Sequence, residues 1–165
     1  MCEEKLQMPP MVYLEDYGGN FALYFDAIYE VFKQDFVDST PICRGLRVAT
    51  KKYPLESGKE HTFYHITHDG GESEEDRLPN FRRMERIRFP RFLIDNIEHP
   101  YLKVWENQRG GSTRILIYHP DEKYLVVLKK LQNYLLLWTA YLVDHSHQER
   151  KLLKEYEAYI KAKTA

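Results

Sequence analysis

Three features of the sequence predict an α+β fold. Apolar residues recur at helical spacing before residue 98, four strand-like runs then follow one another with only short connections, and the helical period returns after Ser146. The expected architecture is a set of N-terminal helices packed on a four-stranded antiparallel β-meander, with a C-terminal helix. The chain has 165 residues, 43% of them hydrophobic, enough for one domain with a core. Residues 20–165 read as that domain, behind a leader at 1–19 that is free to be mobile.

The leader ends in the turn-prone Gly18-Gly19-Asn20, and Asn20 is placed to cap a helix. Phe21, Tyr24, Phe25, Ile28, Val31 and Phe32 then form one apolar face, with Asp26, Glu30 and Lys33 outside it. Residues 40–59 are punctuated by Pro41, Gly45, Pro54 and Gly58 and leave room for one short strand at 46–49. The run 61–67 alternates and is rich in β-branched and aromatic residues, predicting a strand with His61, Phe63 and His65 on one side. An acidic, glycine-bearing loop occupies 68–76. Beyond Pro79 a helix is predicted, with Phe81, Met84 and Ile87 on one arc and Arg82, Arg83 and Arg86 together on the opposite, exposed one. Pro90 ends or kinks it, and residues 92–97 add a turn or two.

The runs 101–107, 114–119, 124–128 and 134–143 are the four strands, and the connections between them are short enough for hairpins. In the last run, Leu135, Leu137, Thr139, Tyr141 and Val143 share one parity, so that face is expected to turn from apolar to polar midway. A core face giving way to an open cleft has this pattern, and so does a hydrogen-bonded core threonine. Trp105 and Trp138 are expected in the core. The closing helix has Ser146 and Glu149 at capping-box spacing and Leu152, Leu153, Tyr156, Tyr159 and Ile160 as its stripe.

The formal net charge is only −1, with its signs segregated. Up to Asp38 two lysines face eight carboxylates, a net of −6, and the remaining 22 cations and 17 carboxylates give +5. Cys2 and Cys43 provide neither a disulfide framework nor metal-ligand spacing. The acidic, proline-bearing start does not read as a signal peptide, and no apolar run approaches membrane-spanning length. A cytoplasmic protein without a membrane role is expected. Phosphate-cradling glycine motifs are absent. His61, His65 and His68 would share a face on a helix but not on a strand, so no metal and no cofactor are expected. Asp144, His145 and Ser146 are triad residue types too close in sequence to converge as a triad.

His65-Ile66, then Arg83-x-Glu85-Arg86-Ile87 followed by Phe89-Pro90, then the strands and Thr139-Ala140-Tyr141 ahead of a charged helix resemble the phage-associated branch of the barnase, EndoU, colicin and RelE-like (BECR) nuclease superfamily. The resemblance spans roughly residues 21–145. It implies a metal-independent endoribonuclease of phage, prophage or toxin type, with RNA as partner and an inhibitor or host protein as a further one.

Such cleavage needs a base for the RNA 2′-OH, an acid for the leaving 5′ oxygen and fixed cations for the phosphorane, and yields a 2′,3′-cyclic phosphate. His65 suits either proton transfer, with His61 as the fallback and Glu85 as an additional candidate. Arg83 and Arg86 match phosphate oxygens bidentately, and Arg82 and Arg88 extend the phosphate-binding set. Thr139 and Tyr141 are expected to hydrogen-bond a non-bridging oxygen, or Tyr141 to stack on a base. Structural uses compete for each: a satisfied histidine, a solvated arginine face paired with the acidic 72–76 loop, or a Glu85 that bridges to a neighbouring arginine. Two other readings follow from the acidic front. One is a non-catalytic RNA- or host-protein-binding protein that keeps the nuclease-like fold; the other makes the first 38 residues a cover over a basic cleft.

Overall fold

The computed structural model describes residues 4–70 and 77–164. In chain order the elements are a 3-10 turn (Leu14–Tyr17), α1 (Phe21–Phe36), β1 (Ile42–Cys43), β2 (Leu46–Ala49), α2 (His61–Thr67), β3 (His68–Asp69), β4 (Leu78–Pro79), α3 (Phe81–Glu85), α4 (Phe89–Asp95), β5 (Lys103–Arg109), β6 (Ser112–His119), β7 (Tyr124–Lys130), β8 (Leu135–Leu142) and α5 (Ser146–Thr164). The class is α+β, as expected.

The sheet is larger than the expected four-stranded meander. Strands β5 to β8 are antiparallel neighbours, but β1 and β2 extend them into a mixed six-stranded sheet of order β1-β2-β8-β7-β6-β5. β2 runs parallel to β8 and meets it only at Val48↔Leu135 and Ala49↔Leu136. A parallel pairing cannot be closed by a hairpin, so no turn near residue 50 announces it. Of the hairpins, β5–β6 has the clearest local cause: Gly110 and Gly111 both adopt positive φ, 56° and 78°, between the paired Arg109 and Ser112. That is the backbone of a primed two-residue turn, which glycine enters without strain.

Alternation along β6 and β7 sends Ile115, Ile117, Val126 and Leu128 to one face and Leu116, Tyr118, Leu125 and Val127 to the other. The first face meets α1 to α4. Asn20 caps α1 by accepting from the Leu23 amide, and Tyr24, Ile28, Phe32 and Phe36 are buried there. The acidic front is therefore part of the core, not a detachable cover over a cleft. The second face carries α5 through Trp105, Leu152 and Tyr156, the two rings meeting edge to face. Ser146 is the first residue of α5 rather than its cap, and the Glu149 amide donates to the His145 carbonyl. The Glu149 carboxylate accepts from the Tyr118 hydroxyl and faces Lys123.

The leader is docked from Leu6 onward. Leu6, Met8, Met11 and Val12 pack on the core, and the Val12 amide donates to the Glu85 carbonyl. His119, 2% exposed, bonds the Leu6 carbonyl through Nε2.

Two local expectations are overturned. Residues 61–67 form a helix: Phe63 enters an aromatic nest of Phe25, Tyr29 and Phe32, and Thr62, Phe63, Tyr64, Ile66 and Thr67 are all buried, leaving His61 and His65, four residues apart, on the more open side. Tertiary packing outweighs the β propensity of so short a run. The parity of β8 also breaks midway. Val127 pairs with Thr139 while Leu128 pairs with Leu137, so Trp138 is the extra residue of a β-bulge. Leu135, Leu137 and Ala140 consequently share the main core, while Trp138, Tyr141 and Val143 belong to the α5 side. The change to polarity at Thr139 is a change of face. Trp105 is fully buried, whereas Trp138 is only half-buried.

Candidate functional site

β2 leaves β8 after Leu136, so the rest of that strand edge has no strand neighbour among the described residues. α2 and α3 pack against β8. Helical spacing sends His61 and His65 out on one side of α2, with ring centres 6.2 Å apart and planes 22° apart. Asn80 caps α3 by accepting from the Arg83 amide, and its side-chain amide donates to Asp69. The Arg83 guanidinium donates to the carbonyls of His65 and His68, at 3.1 and 3.4 Å, where α2 ends and a cation suits the exposed carbonyls. Its charge also lies 5.8 Å from the centre of the Tyr141 ring.

These groups line a cleft of about 380 Å³ that brings together His61, His65, Arg83, Thr139 and Tyr141 from three separate segments. Tyr64, His68, Asp69, Gly70 and Arg77 complete its wall. Arg77 was not anticipated; its signal is being the first cation after the acidic loop. It is anchored at 2.5 Å to Glu56.

The other expected site residues lie elsewhere. α3 stops at Glu85, and Arg86 turns inward, donating to the Arg82 carbonyl and facing the Glu85 carboxylate at 3.6 Å. Arg82 pairs with Asp144 at 3.0 Å. Arg88 donates to the Pro10 carbonyl and holds the leader. The three arginines expected on one exposed face thus go to three destinations, because the helix is one turn shorter than the pattern suggests. The pairing expected with 72–76 lies outside the described residues.

Electrostatics favour neutral imidazoles. His65 is held below the usual histidine range, first by loss of hydration against the cleft wall, then by His61 and by the cations Arg83, Arg77 and Lys51. His61 is lowered by burial, Lys51 and Arg77, with Glu56 opposing, and its Nδ1 is buried without a hydrogen-bond partner. His68 is lowered by burial and Arg77; its Nδ1 lies 2.8 Å from the Thr67 hydroxyl, away from the other two rings' face. Tyr141 is pushed up by burial, with Arg109, Arg83 and a hydrogen bond from Gln148 opposing, so its phenol stays protonated and able to donate. The cleft thus offers neutral ring nitrogens to accept a proton, hydroxyls to donate hydrogen bonds and two anchored guanidiniums.

Among the described residues no group of three histidine, cysteine or acidic side chains is placed to hold a metal ion, and no helix is long and apolar enough to cross a membrane. No protein-family model, curated protein or solved structure matches the chain.

Proposed function

We propose that the chain is a metal-independent endoribonuclease of phage, prophage or toxin type, cleaving RNA by attack of the 2′-OH on its own phosphate to leave a 2′,3′-cyclic phosphate. The observation that carries this reading is the convergence of His65, Arg83, Thr139 and Tyr141 in one cleft. In the proposed reaction His65, neutral at pH 7, accepts the 2′-OH proton as the new P–O bond forms. Arg83 and Arg77 stabilise the charge of the phosphorane; because both are already anchored to protein acceptors, little reorganisation is needed when that charge develops. The Thr139 hydroxyl donates to a non-bridging oxygen. Tyr141, kept protonated, donates toward the leaving 5′ oxygen, and His61 serves as the alternative acid or base.

Incubation of the purified protein with a mixed RNA pool in EDTA tests the reading, with end mapping and His65→Ala and Arg83→Ala as controls. Discrete cuts bearing cyclic-phosphate ends, reduced by about 10²-fold or more in His65→Ala, are expected. Cutting that persists in both variants would remove the proposed site, and intact RNA with folded protein would remove the activity.

The second reading, a non-catalytic RNA- or host-protein-binding protein, is favoured by the internal engagement of Arg86 and Arg88, which takes two cations from the expected phosphate-binding set. RNA bound at low salt and left intact, or a co-purifying host protein in the absence of RNA binding, is its signature.

A further inference from the structure

α5 is fastened to the sheet by Leu152 and Tyr156, and by Glu155, whose Oε1 accepts both the Trp105 indole N–H at 2.6 Å and the Asn107 amide at 2.8 Å. One turn toward its start, Gln148 and Lys151 stand across a second cleft, of about 210 Å³, from Arg109, Arg114, Thr139 and Tyr141. Three cations line this space, and none of them forms an ion pair among the described residues. Its one carboxylate, Glu155, is the fastener and accepts two bonds through one oxygen. Arg114 lies 5.3 Å from the centre of the Trp138 ring, and its buried Nε has no hydrogen-bond partner. The Asn107 carbonyl oxygen is likewise buried and unpartnered. A buried donor left unmet is costly, and the Nε edge of a guanidinium is one of its bidentate faces for a phosphate.

The second cleft adjoins the first. Thr139 and Tyr141 line both. Arg109 lines the one and Arg83 the other. A single track therefore runs from His65 and Arg83, past Thr139 and Tyr141, to Arg109, Arg114 and Lys151. We propose that the cleft between β8 and the start of α5 binds the phosphodiester next to the scissile one in single-stranded RNA, giving the protein a second phosphate subsite. The inference rests on the ribonuclease reading for the identity of its ligand. The charge and the unmet Arg114 donor are independent of that reading.

The test uses 2′-O-methyl oligonucleotides, which lack the attacking hydroxyl, so binding is read without cleavage. A dinucleotide has one phosphodiester and a tetranucleotide three; each is titrated over a salt series against wild type, Arg109→Ala, Lys151→Ala and the remote control Lys161→Ala. Each cleft variant is expected to weaken the tetranucleotide several-fold at low salt and to lower its log–log salt slope by about 0.7, the value for one phosphate contact on a single strand. The dinucleotide and the Lys161→Ala control should be unaffected. An unchanged tetranucleotide slope in both cleft variants overturns the subsite, even if His65-dependent cleavage of RNA is found. Equal weakening of both lengths overturns it too, since the cations would then act at a distance. The expected slope changes in a protein that never cuts RNA would uphold the subsite and remove the ribonuclease reading. Absence of tetranucleotide binding at low salt removes the subsite.

Discussion

The imidazoles of His61 and His65 stand nearly parallel, 6.2 Å apart, on the side of a short helix whose final carbonyls are held by Arg83. Burial, then His61 and the surrounding cations, make His65 harder to protonate, and burial with Lys51 and Arg77 does the same for His61. Their folded-state pKa values lie below the unfolded value of about 6.5. As pH falls through 6.5 the unfolded chain takes up protons that the folded chain refuses, so stability declines toward acid and is flat above neutrality. His68 acts in the same direction. The melting temperature should therefore drop between pH 7.5 and pH 5, and drop less in the double variant His61→Asn/His65→Asn. An identical drop in that variant would show that these rings do not contribute.

Asp35 carries the opposite sign. Burial, with Asp95 nearby, pushes its carboxyl up to about 6 against the pull of Arg91 and Arg88. A carboxyl raised in the folded state favours folding while it is protonated, and that contribution is lost as pH rises from about 4 through 6. Asp35→Asn is expected to stabilise the protein at pH 8 by roughly 1–2 kcal/mol, the ideal value for such a shift being discounted for remaining solvent contact. It should change little at pH 4. Urea unfolding at the two pH values measures both, and equal effects would refute the assignment.

Glu155 fastens α5 to β5 by accepting from two side chains at once. Glu155→Ala leaves the buried Trp105 indole donor unmet and should cost about 1–3 kcal/mol. Glu155→Gln retains an accepting oxygen and should cost less. Unfolding followed by tryptophan fluorescence distinguishes the two, and an alanine variant as stable as wild type would mean that the helix is held by its apolar contacts alone.

The bulge at Trp138 assigns Thr139 and Ala140 to opposite sides of the sheet. Ala140 is fully buried in the main core, so Ala140→Asp should prevent stable folding or cost several kcal/mol. Thr139→Asp, placed at the clefts, should stay folded and lose RNA binding by repelling phosphate. Circular dichroism with a filter-binding assay reads both. The reverse ranking of stabilities would mean that β8 is paired without the bulge.

The meander is legible because its causes are local: each strand alternates, and the connections, Gly110-Gly111 most plainly, dictate their own turns. β2 at 46–49 is visible only as a short run, since its partner on β8 lies far along the chain and the two share two residue pairs. Residues 61–67 fit both periods, and only the nest around Phe63 decides for a helix. The candidate site was partly legible. His65, Arg83, Thr139 and Tyr141 were singled out by residue type and resemblance, and they do meet in one cleft. Arg86 does not join them because α3 ends before it, a boundary that no capping signal marks. Arg77 and the cations of the second cleft were missed because they come from segments that carry no motif: Arg77 meets Glu56 and α2 only in the fold, and the others acquire neighbours only when α5 folds across the sheet.

The bulge has a further consequence for how this chain tolerates change. Upstream of Trp138 the odd-numbered residues of β8 fill the core, and downstream the odd-numbered Thr139 and Tyr141 line the clefts. One extra residue therefore acts like a frame shift, and a second would undo it. An insertion or deletion of a single residue between the turn at 131–134 and Thr139 would trade the cleft-lining side chains for core ones without altering any of them. In this strand, spacing is inherited as strictly as chemistry, and variants should arise there by substitution far more readily than by a change of length.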